Sequence, residues 1–426
     1  MPAPPPPTRP KVTVAGLGAD RREEVLALDQ LAFSNAPDEP GPDAQVSGGA
    51  LEWDRVFGAS VDGDTGLTGI YAVYSLGLSV PHGPGARVTP MAGLSWVGVH
   101  PGHHRQGVAS AMVRHHLHGL HESGAEPVSG LRASEPAIYG RFSYGLATAG
   151  LQLTVPHGAA LREVPGAEAV TVRWLTVDPH RDGDLIEALH EKARVHRPGL
   201  LARSPQLRAR WLVDNPAQRA GREPLRLLLA ERDGEPTGYA VLRRTGQWDR
   251  TRFVGTASVH EIVALDPPTG RALWGVLVDL DLMTTMTTPS LAADDPLLSL
   301  LVDVRSTAPV LSDDLWLRLV DVDRALAARG YAHDVDVVIG LTDALCPWNA
   351  RRWHLTAGPD GAACVPTSDP AQVLLDVREL ASAYLGGTSL VALAAAGLVR
   401  EERAGAVAHL SVALRSALQP VSPMGF

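Results

Sequence analysis

The alternation of apolar and polar positions predicts many short elements in three groups. Residues 20–33 place Val25, Leu28, Leu31 and Ala32 at spacings of three and four, the period of an amphipathic helix. The run Ala36 to Asp43 carries three prolines and a glycine, which ends that helix and opens a connection of the kind that often borders clefts. Gly69 to Ser75 and Leu94 to His100, rich in β-branched and aromatic residues, read as strands. A helix follows from about Gly107 to His121, with Val108, Met112, Val113, Leu117 and Leu120 as its buried stripe. A strand near Val128 to Arg132, a short helical turn around Tyr139 and a strand after Gly145 complete the first group.

A second group repeats this order. Leu225 to Glu231 and Gly238 to Arg243 are paired strand candidates, followed by the strand Val259 to Leu265 and a helix that starts near Asp266. From about Pro309 the texture changes. The apolar run Leu315 to Val322 leads into a helix from Asp323 to Arg329, several strands, and helical candidates at Pro370 to Tyr384, Leu390 to Ala395 and Glu401 to Leu418. A non-helical tail, Gln419 to Phe426, ends the sequence.

Length and composition narrow the class. At 426 residues the chain exceeds one ordinary core, so several domains are expected. An apolar content of 45% with 20% charge is globular, and no apolar run is long enough to span a membrane. Residues 1–10 form a proline tract without a basic-then-apolar signal pattern and read as a disordered tail. The net charge of −9 argues against nucleic acid as the main partner and suits a cationic substrate. Cys346 and Cys364 form no Cys-x-x-Cys pair, which predicts a reducing cytoplasm with neither zinc nor a disulfide. Seven histidines lie between His100 and His121. His115, His116 and His118 fall off the apolar stripe of their helix with no accompanying carboxylates, so they read as a solvated face and no metal is expected.

Chemistry concentrates where the strand through Val97, Gly98 and Val99 turns into the helix after Gly107. A helix start leaves amides unpaired and carries partial positive charge, and glycine lets an anion approach the backbone. Arg105 adds a charged donor. Alone, such a turn is either a phosphate cradle or an ordinary strand-to-helix connection. At the matching place the second group has Pro267 and Pro268, which lack N–H groups, so that copy reads as structural.

The order of elements and this loop resemble the GNAT superfamily of acyl-CoA-dependent N-acetyltransferases. The superfamily loop has Arg or Gln, two residues, Gly, one residue, then Gly or Ala; Gly107 and Ala109 match, while His104 stands in the first place. More specifically, Ala133 to Gly145, Ala383 to Ser389 and Leu393 to Gly397 are similar to the Eis family, over nearly the whole chain. The resemblance implies a mixed α+β and α/β fold: a catalytic GNAT domain over 11–150, a degenerate GNAT-like domain over 151–308 and a sterol-carrier-protein-like α+β domain over 309–426, assembled as a hexamer. Acetyl-CoA is the implied co-substrate. The backbone of Val97, Gly98 and Val99 would flank its thioester and pantetheine, and Arg105, Gln106, Gly107, Val108, Ala109 and Ser110 its pyrophosphate, with Ser134 and Glu135 alongside.

Ser134 also suits the N-cap of the short helix that follows. Tyr139 matches the family's general acid, and the C-terminal carboxylate of Phe426 its base, while Phe142 and Tyr144 read as core. Asp29, Phe33 and Trp53 are substrate candidates, since a polyamine favours carboxylates and aromatic faces. The expected reaction is acetylation of amino groups on a polycationic small molecule such as an aminoglycoside. Lysine side chains are an alternative acceptor, and a lipid-binding role for the C-terminal domain is an alternative of another class.

Overall fold

The structure, a computed structural model, describes residues 10–34, 51–214, 216–219, 221–358 and 361–426. The proline-rich run Ala36 to Asp43 and nearly all of the tail 1–10 lie outside the described residues. The first sheet contains β1 (Val12–Gly16), β2 (Val56–Val61), β3 (Gly69–His82), β4 (Gly85–Val99), β5 (Val128–Leu131) and β6 (Gly145–Leu146). Strands β1 to β4 are antiparallel neighbours in chain order, and β5 runs parallel to β4. The sequence runs at Gly69 and Leu94 mark only the ends of one long hairpin, paired from Gly69 with Val99 to His82 with Gly85.

Helix α1 (Arg22–Phe33) buries Val25 and Leu28, but Leu31 is 48% exposed. Ala32 packs against the sheet at Gly98 as predicted, so only Leu31 falls out of the stripe. Helix α2 (Val108–Ser123) buries Val108, Met112, Val113, Leu117 and Leu120 as expected, and His116 with them.

Two other parts of the chain complete this sheet. Leu201–Ala202 pairs with β3, and Trp316–Leu319, inside the apolar run read as the start of the third group, lies antiparallel between β5 and β6. Burial follows this topology. One apolar cluster joins Leu76, Met91 and Val128 to Leu317, Leu326, Leu355 and Leu380, so the first and third groups share a core.

The second sheet has six strands, in the order Thr154–Pro156, Thr285–Thr287, Arg252–Ala264, Glu235–Asp249, Arg226–Arg232, Thr171–Thr176. Helix Pro179–Arg194 packs on one face through Ile186 and Leu189, and helix Pro267–Val278 on the other through Leu273 and Leu277. The two copies share a bulge. In the first, the register between β3 and β4 shifts from Ile70 with Gly98 to Ala72 with Ser95; in the second it shifts from Val241 with Glu261 to Leu242 with Val259.

The third sheet orders Gly361–Pro366, Arg352–Gly358, Val335–Thr342, Val373–Asp376 and Val399–Glu401. Two predicted helices change here. Pro370 to Tyr384 is a strand, Val373–Asp376, followed by helix Val377–Ala383, because Val373 to Asp376 pair in parallel with Ile339 to Thr342 and Asp376 then caps the helix through the Arg378 amide. Glu401 to Leu418 contains only Ala406–Ala413 as helix, because Glu401 still pairs with Val373 and Gly405 makes the left-handed turn that starts the helix. Residues 419–426 are non-helical as expected, but Pro420, Val421 and Ser422 are buried. No helix among the described residues is long and apolar enough to cross a membrane.

Candidate active site

The bulge in β4 opens the site. Strands β4 and β5 pair only from Met91 with Val128 to Gly93 with Gly130, yet β4 continues to Val99, so the two part like a wedge beyond Gly93. Trp96 sits in the bulge with φ +57°, a conformation that costs a β-carbon about 1–2 kcal/mol. Its indole N–H donates to the Tyr74 hydroxyl at 2.9 Å, a contact that ties the bulge to β3. Because side chains alternate along β4, the wedge has two differently lined faces. Val97, Val99, Ile138 and Tyr139 pack with the α2 cluster, whereas Trp53, Trp96, Met424 and Phe426 pack with the opposite one.

On the α2 face, Gly107 is the N-cap with φ +93° and makes no side-chain cap bond. The first bond in the helix runs from the Ala111 amide to the Gly107 carbonyl, which leaves the amides of Val108, Ala109 and Ser110 at an uncapped helix start. Arg105 is exposed at φ +63°. Gln106 holds the loop closed: its side-chain amide donates to the Gly102 carbonyl at 3.2 Å, and its oxygen lies 3.3 Å from His103 Nδ1. His104, the departure from the superfamily loop, is exposed.

Tyr139 ends the helical turn α3 (Pro136–Tyr139). Its phenol is pushed up to about 12 by burial, with the Glu135 carboxylate adding to the effect. Its ring meets Tyr144 edge to face at 6.0 Å. Phe142 and Tyr144 are core, as read from the sequence. Ser134 is corrected: α3 is capped at Glu135 without any side-chain bond, since the turn starts one residue later than Ser134 could reach. Both Ser134 and Glu135 are exposed just beyond the end of β5.

From the other face, the end of the chain enters the wedge. Ser95 Oγ donates to the Phe426 main-chain oxygen at 2.9 Å. The Phe426 ring lies where a β-carbon on Gly93 would sit 3.0 Å from it. Trp53 packs in the same cluster, and Phe33 reaches Gly98 from α1. Asp29 lies one turn earlier on α1 and is half-buried. Sequence reading missed Ser95, Tyr74 and Trp96, whose importance comes from partners across the sheet rather than from local pattern.

The α2 histidines do not form a solvated face. His115 Nδ1 is 2.6 Å from the Tyr71 hydroxyl, and His116 Nε2 is 2.9 Å from Ser129 Oγ, itself 2.8 Å from the Tyr144 hydroxyl. His118 Nε2 is 3.0 Å from the Leu345 carbonyl, and His121 stacks on Trp348. The sheet and the third group pack against this side of α2, so His116 is buried and His115 and His118 are half-buried, while His121 stays exposed.

This geometry agrees with the comparison to known families. Acetyltransferase (GNAT) domain families match residues 14–147 and 199–319, and a sterol carrier protein domain family matches 322–423. N-acetyltransferase Eis of Mycobacterium tuberculosis is 37% identical over 345 residues, 78% of this chain and 80% of that protein. The chain belongs to the Eis family of GNAT N-acetyltransferases. An uncharacterised N-acetyltransferase of Streptomyces avermitilis is 41% identical over 376 residues, 88% of this chain and 90% of its own. The crystal structure of Eis1 from Mycobacterium abscessus superposes with a TM-score of 0.80 at 30% identity, covering 98% of this chain and 100% of that one.

As an Eis-family enzyme the chain is an N-acetyltransferase with two GNAT domains followed by a sterol carrier domain. GNAT acetyltransferases use acetyl-CoA. The uncapped start of α2 suits its pyrophosphate, whereas the second GNAT domain is closed at the same place. There Asp266 caps the helix, accepting from the Thr269 amide at 2.9 Å and from Arg232 at 2.6 Å, and Pro267 and Pro268 offer no N–H. A carboxylate already occupies the position an anion would take.

Proposed function

We propose that this Eis-family enzyme passes the acetyl group of acetyl-CoA directly to an amino group of a polycationic small molecule, of which aminoglycosides are the model class. The observation that carries the reading is the two-sided wedge, with Tyr139 among the residues of the α2 face and Phe426 entering from the other. Acetyl-CoA lies on the α2 face, its pyrophosphate at the amides of residues 107 to 110 and its pantetheine along Val97 to Val99. The amine approaches past Trp53, Phe33 and Asp29. Its nitrogen attacks the thioester carbonyl, a C–N bond forms and the C–S bond breaks. The Phe426 carboxylate takes the amine proton, through water because a free α-carboxylate is a weak base with a pKa near 3.5. The Tyr139 hydroxyl protonates the departing CoA thiolate.

Burial raises the Tyr139 phenol to about 12, so it keeps its proton throughout the neutral and mildly alkaline range. Two buried cysteines, Cys346 and Cys364, whose thiols burial pushes up to about 12, support a reducing, cytoplasmic setting. By the same family resemblance the working assembly is a hexamer, which sedimentation would test.

The deciding assay follows thiol release from acetyl-CoA with aminoglycosides, polyamines and lysine peptides, and identifies products by mass spectrometry. Tyr139→Phe should lower kcat by roughly 100- to 10,000-fold with acetyl-CoA affinity retained. Removing Phe426, or extending the chain beyond it, should have a similar effect. Turnover confined to lysine peptides would overturn the acceptor class, and full activity in either variant would remove that residue from the mechanism.

A further inference from the structure

The second GNAT domain has a closed phosphate end, yet it holds the last residues of the chain. Five hydrogen bonds define the hold. Arg197 Nη1 donates to the Gln419 carbonyl at 2.6 Å and to Asp294 at 2.5 Å, and the Gln419 amide donates to Asp294 at 2.8 Å. One ion pair thus takes both backbone polar groups of Gln419. The Val421 amide donates to the Pro198 carbonyl at 3.2 Å, and the tail lies so close to Gly199 that a β-carbon there would meet the Val421 oxygen at 2.7 Å. Gly199 also has φ +92°, so both space and conformation exclude a side chain.

The last two meet at the buried Ser422. Arg132 Nη1 donates to the Ser422 carbonyl at 2.6 Å, and Asp314 accepts from the Ser422 amide. Asp314 is itself held by Arg132 at 3.3 Å and by the Ser290 hydroxyl at 2.8 and 2.9 Å. Its side chain is wholly inaccessible to solvent. From Ser422 only Pro423, Met424 and Gly425 lead to Phe426; Pro423 is stiff, and Met424 packs into the shared core.

We infer that Arg197, Asp294, Ser290, Asp314 and Arg132 are positioning residues that hold Phe426 in the wedge, so that residues of the second GNAT domain and its borders, with Arg132 of the first, serve the reaction by clamping the tail. This rests on the reading of Phe426 as the base. None of the five touches the reacting atoms. Their effect is on where the carboxylate stands, and a misplacement of about 1 Å can cost up to about 100-fold in rate.

The test uses the full chain. Asp294→Ala and Arg197→Ala break the partly exposed grip, and Asp314→Asn weakens the buried one. Each should lower kcat roughly 10- to 100-fold, with the acetyl-CoA KM within about twofold of the parent. Hydrogen exchange should rise at residues 419–426 and stay unchanged along α2 and β5. Arg197→Lys, which keeps one donor to Gln419, should recover part of the rate. Should Asp314→Asn fail to fold, the Asp294 and Arg197 variants decide alone. Unchanged kcat in folded Asp294→Ala and Arg197→Ala, with a chain lacking Phe426 inactive, overturns the clamp and leaves Phe426 as base. Full activity without Phe426 overturns the underlying reading, and the clamp with it.

Discussion

At the scale of single residues, burial decides protonation in this fold. Burial, aided by the charges of Arg55 and His115, lowers the His116 pKa from 6.5 to about 3. Between those values the unfolded chain binds a proton that the folded chain refuses. Stability present above pH 6.5 is therefore lost as pH falls towards 3, by up to about 1.4 kcal/mol per pH unit. His116→Gln keeps a partner for Ser129 but cannot titrate. Urea midpoints measured from pH 7 to pH 5 should fall less steeply in that variant than in the parent, and parallel slopes would show that His116 does not set the acid limit. The same desolvation keeps the Tyr139 phenol protonated, so one physical cause holds a proton on one side chain and keeps one off another.

At the scale of elements, the two GNAT domains differ less in their strands than at one helix start. Both carry the bulge, but α2 begins at a bare Gly107 and its counterpart at a capped Asp266. Asp266→Ala should cost about 1 kcal/mol of stability through the lost cap while leaving acetyl-CoA affinity unchanged by calorimetry. A fall in affinity would mean that the second domain also binds the co-substrate. This contrast was legible in the sequence because Gly107 and the two prolines act locally, and the stripe of α2 was legible because its period repeats over four turns. The strand Val373–Asp376 was not. Its apolar residues fit a helical period that continues into Val377 and Leu380, and pairing with the distant strand Val335–Thr342 settles the choice. Tyr139 and Phe426 are candidates that motif and resemblance single out, whereas the contacts of Ser95, Arg132 and Asp314 exist only where distant segments fold together.

At the scale of the whole molecule, the parts are interleaved rather than strung in a row. The first sheet takes strands from all three groups, and its largest core is shared with the sterol carrier domain. A chain ended before Trp316 would leave β5 and β6 without the strand between them and strip one side of that core. It should lack a cooperative unfolding transition, by calorimetry, in the residues that make the acetyltransferase domain; a sharp transition there would show that the domain stands alone. The inserted strand also orders events during synthesis. The first GNAT domain leaves the ribosome before the second, but its sheet closes only after Trp316–Leu319 has emerged, so β5 and β6 wait with open edges while the second domain is made. Until then those edges are open to pairing with other chains, a hazard that belongs to the nascent protein and not to the finished fold.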